Sequence, residues 1–179
     1  MKKVLLAVLS LVVLASCKKD KDNDPSPSSA GQGYVKPAAV GKWLHGSFAM
    51  ASFWGYDGSY QGNPFSQSIA FDFKSNGSYE MYYTGQTNDF GCTRDAFSYF
   101  KGYAQFTDSS FTVYPQSGKF RGYYSCNSSA NFDRTADASE LKVQKFYYTF
   151  ETDANNKTWM VVKFDPAEQT GSYFGPTTW

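Results

Sequence analysis

From about residue 43 onward, apolar and polar positions alternate with a period of two, and no long stretch repeats at the spacing of a helix. This pattern predicts strands over 43–53, 68–73, 79–84, 97–106, 110–114, 119–126, 141–151 and 158–164. Turn chemistry separates most of them: Ser75-Asn76-Gly77-Ser78, Thr107-Asp108-Ser109, Gln116-Ser117-Gly118 and Asp153-Ala154-Asn155-Asn156. Eight strands joined mainly by tight hairpins predict an all-β fold, an antiparallel eight-stranded up-and-down barrel, which leaves no sheet edge exposed. An open sheet or a β-sandwich is the alternative.

Side chains alternate between the two faces of a strand, so the pairs Tyr82-Tyr83, Tyr123-Tyr124 and Tyr147-Tyr148 each send one ring to either side. The pattern places Tyr79, Met81 and Tyr83 inside, with Phe120 and Tyr124, then Phe146, Tyr148 and Phe150, then Met160, Val162 and Phe164. Such a set either fills a core or walls a cavity. Buried hydroxyls need partners and can orient a ligand, which makes Tyr79, Met81, Tyr83, Tyr124, Tyr148 and Met160 the candidate ligand-binding residues. The aromatic content of 19%, dominated by Phe and Tyr, fits strands better than helices.

The first 35 residues are of another kind. Lys2 and Lys3 precede an apolar run from Val4 to Ala15, too short to span a bilayer, which closes on Leu14-Ala15-Ser16-Cys17. This arrangement resembles the lipobox signal of Gram-negative bacterial lipoproteins. The resemblance implies a signal peptide over 1–16, lipid attachment at Cys17, and membrane anchoring without a transmembrane helix. Lys18 follows the cysteine where many inner-membrane lipoproteins carry Asp, so the expected location is the outer membrane, on its periplasmic or cell-surface face. Residues 17–35, rich in Lys, Asp, Ser, Pro and Gly, are expected to be a disordered tether, and 36–179 a single lipocalin-like domain. Asp20, Asp22 and Asp24 alternate like the start of a calcium loop, but Pro25 and Gly31 stand where that loop needs glycine and glutamate. With Cys17 assigned to lipid, Cys92 and Cys126 remain as a pair in an oxidising compartment, and a disulfide is expected. In a strict eight-strand meander, however, these two cysteines fall at opposite ends. The bridge then requires the loop 85–95 to fold along the wall, or a strand count that is off by one.

Gly41-Lys42-Trp43 resembles the Gly-x-Trp motif that opens lipocalins and lipocalin-like bacterial domains, and the run from Phe71 to Tyr79 is similar to the second hairpin of such lipoproteins. The resemblance implies that Trp43 plugs the closed end of a barrel. From Lys36 onward the chain carries 12 basic and 13 acidic side chains without a basic stripe, which argues against nucleic acid as a partner. His45 is the only histidine, no Gly-x-Ser-x-Gly elbow occurs, and neither Cys92 nor Cys126 has a Cys-x-x-Cys partner, so no catalytic, cofactor or metal residue is assigned and no enzyme is expected. Asp72, Glu80 and Glu151 are left as carboxylates whose spacing only a structure defines. Asp133, Asp137 and Glu140 read as a solvated loop with Arg134 as counter-charge. The leading expectation is an envelope-anchored lipoprotein that binds a small apolar or amphipathic ligand in its barrel. The rival is a structural or interaction lipoprotein that presents aromatics to an envelope protein or polysaccharide, with Trp54, Tyr56 and Tyr60 as the exposed patch.

Overall fold

The computed structural model describes residues 32–47, 53–54 and 67–179. The expectations for the signal peptide, for Cys17 and for Tyr56 and Tyr60 lie outside the described residues. Nine strands are described: β1 (Gly41–His45), β2 (Ser68–Phe73), β3 (Ser78–Asp89), β4 (Cys92–Phe106), β5 (Ser110–Tyr124), β6 (Phe132–Thr135), β7 (Gln144–Thr152), β8 (Thr158–Lys163) and β9 (Ser172–Pro176). Neighbours pair antiparallel from β1 through β5, β5 continues to β7, β8 and β9, and β9 returns to β1. Eight strands thus close into a hydrogen-bonded ring, as the alternation predicts. β6 is an additional strand on the upper part of the β5 edge, whose lower part pairs with β7.

The expected strands 110–114 and 119–126 are one strand in the structure. Gln116, read as part of a turn, is instead the extra residue of a β-bulge: Lys101 faces Ser117 and Gly102 faces Pro115. A Cβ on Gly102 would lie 2.1 Å from the Tyr114 carbonyl oxygen, so only glycine lets the backbones approach here. With one strand fewer before it, Cys126 follows the end of β5 directly beside Cys92 at the start of β4. The Cys92–Cys126 disulfide is present, and the apparent conflict with the meander disappears.

The first strand also differs from expectation. β1 ends at His45 because the chain turns at Gly46, whose φ of +85° suits glycine, and Phe53 and Trp54 stand in a short helical turn rather than in a strand. Two further strands escape the pattern: β6, exposed at all four positions, and β9, which contains Gly175 and Pro176.

Both faces of the β2–β5 wall are covered. Inside the ring, Trp43, Phe71, Phe73, Tyr79, Phe106, Phe111, Val113, Phe146, Tyr148, Met160, Val162 and Phe174 form one core. Phe71 lies at its centre, 5.3 to 5.7 Å from the rings of Phe73, Phe111, Phe146 and Phe174. Outside, Phe53 packs on Ala70, Tyr82 and Phe97, with Leu44, Tyr99, Tyr123 and Trp179 around them. Arg121 is buried there with its guanidinium 4.9 Å from the Phe97 ring, and it donates to the Trp54 carbonyl oxygen at 3.2 Å. β2 is consequently buried on both sides, Asp72 included.

The lower end is closed by the segment before β1. Tyr34 donates to Ala104 O and accepts from Phe106 N, Val35 enters the core, and a 3-10 turn at Pro37–Ala39 supplies the Ala39 carbonyl that accepts from Trp43 Nε1 at 2.8 Å. The end of the segment expected as a tether, Tyr34 and Val35, is thus already docked on the ring.

Candidate functional site

The inward face of β2–β5 changes character along its length. At its lower end Phe71, Phe73, Tyr79, Ala104 and Phe111 are sealed at 0–1% exposure. Further up the same faces, Ile69, Met81, Tyr83, Ser98, Phe100, Phe120 and Tyr124 are only half-buried. Register places them side by side: Ile69 faces Tyr83, Phe71 faces Met81, Met81 faces Phe100, Tyr83 faces Ser98 and Ser98 faces Phe120. The physical reason is the length mismatch among the strands. β3, β4 and β5 run 12, 15 and 15 residues, whereas β1, β8 and β9 run 5, 6 and 5, so the long ribbon stands above the closed ring as a wall.

All six ligand-binding candidates face inward, but they occupy two levels. Tyr79, Tyr148 and Met160 belong to the sealed floor. Burial pushes the Tyr79 phenol well above its usual range, and its hydroxyl has no hydrogen-bond partner among the described residues. Tyr148 donates to Thr107 O at 2.9 Å, which spends its hydroxyl on the lower turn. Met81, Tyr83 and Tyr124 remain on the upper wall.

Phe100 and Phe120 contact edge to face at 5.4 Å and form the centre of that wall. The sequence pattern does not mark out Phe100 or Ile69; on β4 aromatic residues occupy both faces, so polarity gives no contrast there. Arg134 on β6 faces Phe120 in register and sets its guanidinium 4.9 Å from that ring. It is fixed by paired 2.7 Å hydrogen bonds to the two carboxylate oxygens of Glu140, which also accepts from Asp137 N at 2.8 Å. Asp133 pairs with Lys119. The expected counter-charge role of Arg134 is therefore seen, and it adds a polar rim to the wall. His45, paired in register with Ile69, packs 5.4 Å from Phe174, and its Nδ1 lies 3.0 Å from Tyr173 O.

The Arg134 bonds hold the Glu140 carboxyl at about 2, below the usual carboxylate range. The sign follows directly: a depressed native value adds stability that is complete above about pH 4.5 and is lost as the pH falls towards 2. Acid unfolding of Glu140→Gln and of the parent chain is expected to diverge at neutral pH and to converge near pH 2. Curves separated by the same amount at both pH values would contradict the assignment.

On the outer face, Trp54 is 44% exposed and packs against Tyr99 at 5.2 Å and Tyr82 at 6.3 Å. The Tyr82 phenol, raised first by burial and then by its hydrogen bond to Glu80, stays protonated well beyond the usual range. Asp72 is spent on Lys74 at 2.6 Å, and Glu151 accepts from Tyr173. Comparison with protein-family models, with curated proteins and with solved structures finds no match.

Proposed function

We propose that this chain is a lipid-anchored envelope protein that holds a small apolar or amphipathic molecule against the upper inner wall of its ring. The observation that carries the reading is the change on one continuous face from sealed side chains at Phe71 and Tyr79 to half-buried ones at Met81, Tyr83, Phe100, Phe120 and Tyr124. A floor of packed rings gives a ligand something to rest on. The half-exposed rings and the Met81 thioether above it provide apolar area that water covers poorly. The rim formed by Arg134 and Glu140, with Tyr83 and Tyr124, suits the polar end of an amphipathic molecule.

The test is titration of the full chain with a fluorescent fatty-acid analogue. Phe120→Gln and Met81→Gln each remove apolar contact worth roughly 1.5 kcal/mol, so each is expected to weaken binding about tenfold. Trp54→Ala, on the opposite face of the sheet, is expected to leave affinity unchanged. Equal affinity in all three variants would reject the wall as the site. Loss confined to Trp54→Ala would transfer the function to the outer face, the reading favoured by the 44% exposure of Trp54 beside Tyr99.

A further inference from the structure

Midway up the inner face of the ribbon, one cross-strand row carries almost no side chain. Gly85, Ala96 and Gly122 stand in register on β3, β4 and β5, with Tyr83, Ser98 and Phe120 in the row below and Thr87, Arg94 and Tyr124 in the row above. The two glycines are covered by their neighbours. The Tyr83 hydroxyl lies over Gly85, where a Cβ would come within 2.7 Å of it, and the Phe132 ring on β6 lies over Gly122, where a Cβ would meet that ring. Only the middle of the row is open: Ala96 is exposed, while Gly85 is half-buried and Gly122 buried. The result is a groove one strand wide that runs along β4. Ala96 and Ser98 are its floor, Tyr83 stands on one side, and Phe120 and Phe132 stand on the other.

The two ends of the groove differ in chemistry. At the lower end Phe100 leans over Gly118, where a Cβ would lie 2.7 Å from its ring, and faces Met81 in register, so the stop is apolar. At the upper end stands Arg94, between Thr87 and Tyr124. It is the one charged residue among the described side chains at the inward positions of β2 to β5. The other guanidinium on this side, that of Arg134, is met by both carboxylate oxygens of Glu140, so the charge that distinguishes one end of the groove from the other is that of Arg94. Dimensions narrow the occupant further. Two strand spacings set the Gly85 and Gly122 backbones about 10 Å apart, and the side chains lying over them leave room for a single hydrocarbon chain but not for a fused ring system. From Arg94 to Phe100 the strand rises about 20 Å, the extended length of a long acyl chain.

We infer that the ligand of the wall is a long-chain carboxylate, with its chain laid along β4 over Ala96 and Ser98 and its head at Arg94. The inference rests on the reading of the wall as an apolar-ligand site and adds the class of amphiphile and the direction in which it lies. A guanidinium meets a carboxylate through two parallel charge-assisted hydrogen bonds, a match that an uncharged head does not make. Ala96 is the gauge of the groove, because any larger side chain there occupies the space of the chain.

Titration of the full chain with the fluorescent fatty-acid analogue and with its methyl ester separates the head from the chain. The parent is expected to bind the acid about tenfold tighter than the ester, the scale of a hydrogen bond to a charged group. Arg94→Gln is expected to lose that preference while binding the ester as the parent does. Ala96→Phe is expected to bind neither probe and to melt with the parent, since the position is exposed and Phe suits a strand. Equal affinity of the parent for acid and ester, or a preference for the acid that survives Arg94→Gln, overturns the inference, and so does Ala96→Phe that binds like the parent. Failure here is distinct from failure of the wall reading. If only the groove is wrong, Phe120→Gln and Met81→Gln still weaken both probes while Arg94→Gln or Ala96→Phe does not; a parent that binds neither probe overturns both readings.

Discussion

Phe71→Ala is expected to cost about 3–5 kcal/mol of unfolding free energy, the range for truncating a fully buried aromatic ring. Phe71 is 0% exposed and its ring meets four other aromatic rings, from β2, β5, β7 and β9. These contacts span the ring from wall to wall, so no single element can shift to fill the space left behind. Loss on this scale removes a third or more of the stability of a typical domain. Urea unfolding read by tryptophan fluorescence checks it, and a loss under 1 kcal/mol would mean that the floor is loosely packed. The same variant separates floor from wall: at low temperature, where the chain still folds, its affinity for the fatty-acid probe should fall far less than that of Phe120→Gln.

Replacing Cys92 and Cys126 together by alanine is expected to cost about 3–4 kcal/mol. The bridge joins residues 34 positions apart, and a covalent loop of that length removes this much free energy from the disorder of the unfolded chain. The effect on the native state should be local. Backbone pairing holds β3 to β4 from Ser78 opposite Tyr103 to Asp89 opposite Cys92, and β4 to β5 as far as Arg94 opposite Tyr124, so loss of the bridge should loosen only the Thr93–Ser125 bonds beyond the last of these pairs. Chemical denaturation of the double variant beside the oxidised parent measures the loss, and reductant is expected to bring the parent's curve to that of the variant. Two coincident curves in the absence of reductant would show that the bridge contributes nothing to stability.

Much of the ring could be read from alternation because its strands meet a clear inside. The expected 68–73 coincides with β2, and Met81, Tyr83, Phe120, Tyr124, Tyr148 and Met160 face inward as the period of two requires. What escaped reading has physical causes. Pro115-Gln116-Ser117-Gly118 carries the same residues whether a chain reverses or bulges, and only the partner strand decides. β6 buries no side chain and so leaves no apolar trace, while Gly175 and Pro176 mask β9. The division of the inner face into floor and wall depends on how far each strand extends past its neighbours, which is a property of the assembled ring.

The ring is closed very unequally around its circumference. β2 to β5 are joined by hairpins whose pairs extend over most of each strand, whereas β1 meets β9 through two register pairs, Trp43 opposite Pro176 and Leu44 opposite Gly175, and the bond from Thr177 N to Lys42 O just beyond them. Pairs close in sequence form early at small entropic expense, and pairs distant in sequence must wait for the intervening chain to order. The long ribbon is therefore expected to form first, β7 and β8 to add to it, and the chain to meet its own beginning last. On that order the rate of the final encounter, rather than the strength of any hairpin, would set how long the rings of the floor stay open to water and to other unfinished chains.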